Sequence, residues 1–551
     1  MTQVEQPKNN NTLLSCDTLI AGGGIAGLVT AYELLKQKQQ VYIIDRDTPE
    51  RLGGLARWAF GGMALSNTQQ QKKLKIPDSS ERLLADWHSF ANFSKDDIWP
   101  KQWAKEYANK NNERVYRYLL DELKLSFLPA VNWVERGLFG EGNSLPRYHI
   151  LWGTGWHLIE ALIAKIRPYQ QTGQLTILHQ HKMLNIYFNK NKVAGGEIIN
   201  EQNSKIFIVQ AKQTVIACGG INASTKRVKE NWPKHWGEPP KSFLNGANPV
   251  SDGLLHDEIN RLGGKLTHLE NMWNYAAGIS HPQAEFEDHG LSLIPCKSAL
   301  WLNHQGKRIG PMPLVTGFDT NYLCQQVSQQ EKPWTWQILN WKIAAKELAI
   351  SGSLHNPSIR NKSWLGLFKE LLFGNQKLIQ QLEQESRDFI VADNLEQLVK
   401  KMNSKTDQTY ITVDTLRTTL THYDQRLQSG ENLQNDEQVR RIHHARQWSA
   451  DKLRTCKPAP IIQKGVKLIA IKCQLISRKS LGGLQTNLAS QVLNEQGSVI
   501  DNLYCVGEAA GFGGGGANGV RSLEGTFLSA CILTARNGAD AIIKNVQKNK
   551  Y

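Results

Sequence analysis

The 551-residue sequence has no run of 18 consecutive apolar residues, about the minimum for a membrane-spanning helix, so no spanning helix is expected. Its eight cysteines, Cys16, Cys218, Cys296, Cys324, Cys456, Cys473, Cys505 and Cys531, form no CxxC pair, which argues against a zinc ribbon or a dithiol redox motif. Several lie in apolar runs, "TVIACGG" and "LYCVGEAAG", and read as buried free thiols of a reducing compartment. His443 and His444 stand together in "IHHARQW", but no cysteine or carboxylate falls at ligand spacing beside them, so no metal is expected. The opening residues, "MTQVEQPKNNNTLLSC", end like a lipoprotein cleavage box but lack the apolar core of a signal peptide. These absences together predict a cytoplasmic protein and leave a peripheral membrane contact open.

Acidic residues are the scarcer sign. Lys and Arg number 65 against 50 Asp and Glu, a net charge of +15. The basic residues are spread rather than bunched, acidic residues interrupt them, and no nucleic-acid motif accompanies them. A solvated basic surface, with no nucleic-acid partner, is the expectation. Apolar content of 40% and charged content of 21% are ordinary for a globular chain, and the length allows two or more domains.

What is present is glycine in clusters. Residues 17–47 read "DTLIAGGGIAGLVTAYELLKQKQQVYIIDRD". A short strand through Leu19–Ala21 leads into Gly22-Gly23-Gly24-Ile25-Ala26-Gly27, a GxGxxG match. An apolar-faced helix and a second strand ending at Asp45 follow. This is a βαβ unit with an acidic residue about 20 positions after the glycines, the dinucleotide fingerprint. Gly22 permits the turn, Gly24 lets backbone approach a pyrophosphate, and Gly27 lets helix pack on strand. The phosphates belong at the helix N-terminus, and Asp45 can accept from ribose hydroxyls.

Further on, "RLGGLARWAFGGMAL" (51–65) places Gly53-Gly54 and Gly61-Gly62 around a short apolar and basic loop. An NAD domain has no need of such a loop, whereas a flavin passing over close backbone does. With this loop, "NSLPRYHILWGTG" (143–155), "TVIACGGI" (214–221), "NPVSDGLL" (248–255), "SALWLNHQGKRI" (298–309), "SRKSLGGLQTN" (477–487) and "VGEAAGFGGGGANGVRSLEG" (506–525), the chain resembles the fumarate reductase and succinate dehydrogenase flavoprotein superfamily. Within it the likeness is to FAD-binding dehydrogenases similar to 3-ketosteroid delta-1-dehydrogenase. The motifs span nearly the whole chain.

The resemblance implies a fold and a set of FAD contacts. The fold is α/β, a Rossmann-like FAD-binding domain split in sequence (1–280 and 466–551), with an inserted α+β substrate-capping domain (281–465) that would move over the flavin. Gly22, Gly24, Ile25, Ala26, Gly27, Asp45 and Arg46 would hold the ADP half. Gly53, Gly54, Leu55, Ala56, Gly61 and Gly62 would follow the pyrophosphate and flavin edge. Ala217, Cys218, Gly219, Gly220 and Asp252 would flank the adenosine side. Gly483, Gly507, Glu508, Ser522 and Leu523 would close on the cofactor from the C-terminal part. Members with covalent flavin carry a histidine in the early loop where this chain has Leu55, so FAD is expected to be non-covalent. Within the insertion, "NLEQLVKKMN" (394–403) and "VDTLRTTLTHYDQRL" (413–427) have helical apolar spacing.

Flavin chemistry on a carbon–carbon bond needs a proton-exchanging group and a donor for any enolate-like oxygen. Fumarate reductases carry His and Arg in an HGxNR-like run. Here "NGVRS" puts Asn518 and Ser522 at those positions, with Arg521 one place away, which makes fumarate and succinate poor candidates. Ketosteroid dehydrogenases carry a tyrosine there, and no tyrosine follows Tyr504 before the glycine run ends, so the residues do not support a steroid substrate either, and only the class of CH–CH oxidoreduction is expected. The remaining catalytic candidates are Arg147, Tyr148 and His149 in "PRYH", Arg478 (with Lys479) in "SRKSLGG", and Arg521. Asp319 is a lesser candidate from the cap, and Trp273 and Tyr275 are candidate pocket walls. In the last run Gly511 and Gly513–Gly516 are expected to lie against the flavin, followed by a helix starting at Leu523. The expectation is an FAD-dependent CH–CH oxidoreductase for an apolar, carbonyl-bearing small molecule, with a quinone or other electron partner and an open oligomeric state. A flavin monooxygenase, an RNA-binding flavoprotein and a flavin-holding protein without turnover are the rivals.

Overall fold

The computed structural model describes residues 13–548 apart from 139, 191, 311, 431 and 432; the reading of residues 1–12 lies outside it. Two eight-stranded sheets organise the chain. The first runs Gln491–Leu493, Val499–Cys505, Ile206–Ile216, Leu13–Ala21, Val41–Asp45, Leu175–His179, with His181–Asn189 and Lys192–Asn200 added beside Ile206–Ile216. Its centre is parallel: Leu19 stands opposite Tyr42 on one side and Thr214 on the other, and Tyr504 opposite Val215. Strands covered on both faces read as near-continuous apolar runs, as "TLIA" and "YIID" do. The helix Ile25–Leu35 is buried along its whole length, between helices Thr154–Gln171 and Thr526–Lys548.

The second sheet runs Leu300–Leu302, Trp334–Asn340, Leu468–Ser480, Met272–Ser280, Gly290–Ile294, Ala349–Ile350, with Leu244–Asn245 and Phe389–Ala392 also on Leu468–Ser480. Met272–Ser280 and Leu468–Ser480 pair antiparallel, Trp273 opposite Lys479. The insertion leaves at the end of one of these strands and returns at the start of the other, so the pair is its stem. The two helices expected inside it are present as Leu395–Asn403 and Val413–Leu427, with Leu398, Met402, Leu416 and Leu420 in one core with the second sheet.

A small three-stranded sheet, Gly62–Ala64, Tyr148–Leu151 and Phe127–Asn132, joins the early glycine loop to "PRYH". One expectation is corrected: the last helix begins at Thr526, not Leu523. Gly525, at φ 101°, breaks the path before it, and a β-carbon there would lie 2.6 Å from the Ala64 nitrogen. All eight cysteines are free, six of them buried.

Candidate active site

Between the first sheet, the early loop and the stem lies a cavity that opens to solvent. The glycine fingerprint forms one wall, and each glycine has its own geometric reason. A β-carbon on Gly22 (φ 114°) would lie 2.3 Å from the Ala217 carbonyl, and one on Gly27 2.0 Å from that of Gly22. Gly24 has nothing within 4 Å of its missing β-carbon and lines the cavity. The helix it opens has no side-chain cap and no acid in its first turn, so its free N–H groups are left for an anion.

Asp45 lines the cavity but is already engaged. Its Oδ2 accepts the Gly23 N–H at 2.5 Å and its Oδ1 the Asp47 N–H at 2.8 Å. Burial raises its pKa. Arg46 bonds Asp252 at 2.7 Å and Glu201 at 2.9 Å, which ties "NPVSDGLL" to the same wall. Ile25, Ala26, Gly53, Gly54, Leu55, Ala56, Gly61, Gly62, Ala217, Cys218, Gly219 and Glu508 also line the cavity. Burial pushes the Glu508 carboxyl up, and the Ser480 N–H donates to it at 3.0 Å.

Five expected contacts lie behind this wall as packing. Gly220 would meet Glu508, Gly507 would meet the Ala26 β-carbon, and Gly483 the Ala509 carbonyl. Leu523 is wholly buried in the core. The Ser522 hydroxyl bonds Asn518 Oδ1 at 3.0 Å and the Thr526 hydroxyl at 2.8 Å.

The "PRYH" triplet is divided by strand alternation, which sends neighbours to opposite faces. Tyr148 lines the cavity, its hydroxyl donates to none of the described residues, and burial keeps the phenol protonated. His149 points the other way: Nε2 meets the Thr68 hydroxyl at 2.7 Å and Nδ1 the Arg147 carbonyl at 2.7 Å. Desolvation lowers its pKa to about 4. Arg147 is fully buried and held by Asp78 at 2.8 Å, by Asp86 and by Asn143, away from the cavity lining. Arg521 is bonded at 3.1 Å to Asp319 of the insertion and also lies off the cavity.

Arg478 and Lys479 come to the cavity from the stem. Arg478 donates to the Gly246 carbonyl, and its Nε is buried without a partner among the described residues. Lys479 lies over the Phe527 ring at 4.3 Å and the Tyr275 ring at 5.5 Å, and burial pushes its pKa down. Two half-buried cations, one with an orphaned donor, on the same cavity as an uncapped helix N-terminus and a glycine that leaves space open fit a bound dinucleotide anion.

Sequence reading missed Glu524. Both Trp273 Nε1 (2.8 Å) and the Tyr275 hydroxyl (3.0 Å) donate to its Oε2, and Glu524 lines the cavity with Phe512 and Phe527. The run already holds a second acid, Glu508, so nothing local in the sequence singles Glu524 out. The second correction concerns that run. Gly511 and Gly513–Gly516 do not line the cavity. β-carbons at Gly513 and Gly514 would strike the Trp103 ring at 2.7 and 2.8 Å, one at Gly516 would strike His268, and one at Gly511 the Leu481 carbonyl. The glycines are there for protein packing. From the insertion, only Ser351 reaches the cavity among the described residues.

These features are those of a flavoprotein that holds FAD. The FAD binding domain family matches residues 17–528, and the chain belongs to that family. It is 34% identical over 544 residues, 95% of each chain, to a KsdD-like steroid dehydrogenase of Mycobacterium tuberculosis. It is 35% identical over 536 residues (94% of this chain, 96% of the relative) to one of Mycolicibacterium smegmatis. The fold is shared with 3-ketosteroid delta1-dehydrogenase from Sterolibacterium denitrificans (TM-score 0.69, 14% identity, covering 96% of this chain and all of that one). It is shared too with a flavocytochrome c3 fumarate reductase (TM-score 0.67, 17% identity, 96% and 78% covered). The protein is an FAD-dependent oxidoreductase acting on CH–CH groups. No described helix is long and apolar enough to cross a membrane.

Proposed function

We propose that the protein removes or adds hydrogen across a CH–CH bond beside the ring carbonyl of a ketosteroid-class molecule, with FAD held non-covalently and a quinone-class electron partner. The observation that carries this is the pairing of Tyr148, with its free hydroxyl, and Glu524, with both donors on Oε2, in an aromatic part of the cavity. The named relatives support the substrate class. Asn518 and Ser522 bond each other rather than offering a dicarboxylate clamp, which speaks against succinate.

When bound, FAD exchanges a hydride at N5. The chain's residues do the rest. Gly22, Gly24, Gly53, Gly54, Gly61, Gly62, Ala217 and Gly219 would hold the cofactor, with Leu55 in place of an attachment histidine. Tyr148 donates to the substrate carbonyl and stabilises charge that develops on that oxygen. Glu524 exchanges the proton on the carbon next to the hydride carbon through Oε1, because Oε2 is engaged by Trp273 and Tyr275. Arg478 and Lys479 supply positive charge to an anionic group bound in the cavity. Residues 1–280 and 466–551 form the cofactor-binding part and 281–465 the cap.

Anaerobic mixing with a panel of 3-ketosteroids differing in ring unsaturation tests the reading. Bleaching of the flavin absorbance with ketosteroids but not succinate is expected, with quinones reoxidising the dithionite-reduced protein. Bleaching by succinate, or by no steroid, sinks the substrate class. Acid precipitation should release the flavin to the supernatant.

A further inference from the structure

Helix Trp364–Phe373, "WLGLFKELLF", buries none of its residues. Seven of the 18 exposed large hydrophobics among the described residues fall between 354 and 373: Leu354, Trp364, Leu365, Phe368, Leu371, Leu372 and Phe373. Leu365 is 66% and Phe373 70% exposed. Monomeric proteins rarely leave so contiguous an apolar patch without a partner. The helix's one acid faces inward, where Glu370 accepts from the Ser358 hydroxyl at 2.5 Å. Around the apolar face stand Lys362, Lys369 and Lys377, all exposed and without ion pairs among the described residues.

We propose that this helix docks on the surface of an anionic lipid bilayer. An apolar face with a basic rim is the pattern of an interfacial helix, and each surface lysine adds attraction to anionic lipid. A second copy of the chain would set lysine against lysine, within a net charge of +15, so charge favours lipid over self-association. The ten residues lie on the surface and do not span it.

The location gives the contact a use. Trp364 stacks on Trp152 at 4.3 Å. Trp152, Ile150, Ile359 and Leu367 form one apolar cluster with Phe60 and Tyr148, and both of the latter line the cavity. Ser353 bonds the Trp58 carbonyl at 2.9 Å, two residues from Ser351 on the cavity wall. A molecule dissolved in the bilayer would therefore meet the cavity beside the docking face. This use rests on the apolar-substrate reading above, but docking is measured without turnover, so either can fail alone.

The test is flotation of the FAD-loaded protein with phosphatidylcholine vesicles, with and without phosphatidylglycerol. Flotation with the mixed vesicles only is expected. The triple variant Leu365→Ser, Phe368→Ser, Leu372→Ser should abolish it, and Lys362→Glu, Lys369→Glu, Lys377→Glu should weaken it about a hundredfold. Both variants should keep the flavin spectrum and turnover of a detergent-free soluble substrate. Absence of flotation, flotation that survives the apolar triple variant, or equal flotation on pure phosphatidylcholine overturns the proposal. So does light scattering that shows a dimer dissolved by the apolar variant without vesicle binding.

Discussion

The two glycine clusters share a composition and both pack backbone closely on protein, but they differ in what they leave open. In the first, Gly24 faces empty space and the missing side chain leaves room for a ligand. In the second, Gly513, Gly514 and Gly516 are pressed onto Trp103 and His268, and the room they leave is filled by protein. Trp87 donates to the Ala517 carbonyl at 2.8 Å, and Gly519 lies against Ala91, so the run is a bed for helices Ser80–Ala91 and Ile98–Lys110. Glycine density identifies close backbone approach without saying what approaches.

Breaking the packed side should cost most. Arg147 anchors Asp86 on helix Ser80–Ala91. Arg147→Ala leaves buried carboxylates unpaired, an expected loss of about 3–5 kcal/mol read as a fall in Tm with or without FAD. Unchanged Tm with lost turnover would return Arg147 to the catalytic residues. Glu524 is a member of the run that faces the cavity, with Glu508 and Phe512, and Glu524→Gln should lower kcat about 10²–10⁴-fold while the flavin stays bound. Retained kcat removes it from the chemistry.

The comparison itself is tested by Gly513→Ala against Gly24→Ala. The first should destabilise the fold by about 1–3 kcal/mol, through contact with Trp103 and strain at φ 123°. The second should leave apo-protein Tm unchanged and weaken FAD binding about tenfold or more, roughly 1.4 kcal/mol. Reversed outcomes would exchange the two roles. The smallest effect, per step, is on pH. His256 meets the Ala509 carbonyl at 3.1 Å inside the second run, and burial lowers its pKa from 6.5 to about 4, as it does for His149. The folded state keeps these rings neutral while the unfolded chain takes up protons below pH 6.5. Stability should therefore fall as pH drops from 6.5 towards 4, by up to about 1.4 kcal/mol per pH unit for each ring. His256→Gln should flatten the Tm slope in that window.

The βαβ unit and the insertion's two helices were legible because each signal is local: a spaced acid, a turn glycine, an apolar period. The catalytic candidates were less so. "PRYH" could be placed near the site, but choosing Tyr148 over its neighbours needed the strand face. The tyrosines that line the cavity, Tyr148 and Tyr275, stand more than 200 residues upstream of the C-terminal run, so only three-dimensional pairing shows them. Glu524 was invisible for the same reason: its meaning comes from Trp273 and Tyr275 across the stem.

That stem separates chemistry from address. Trp273, Tyr275, Arg478 and Lys479 all sit on its two strands, outside the 281–465 insertion, while the exposed apolar helix Trp364–Phe373 proposed to meet lipid lies within it. A transplant that exchanges the insertion between relatives at the stem's ends would carry a new destination to an unaltered reaction centre.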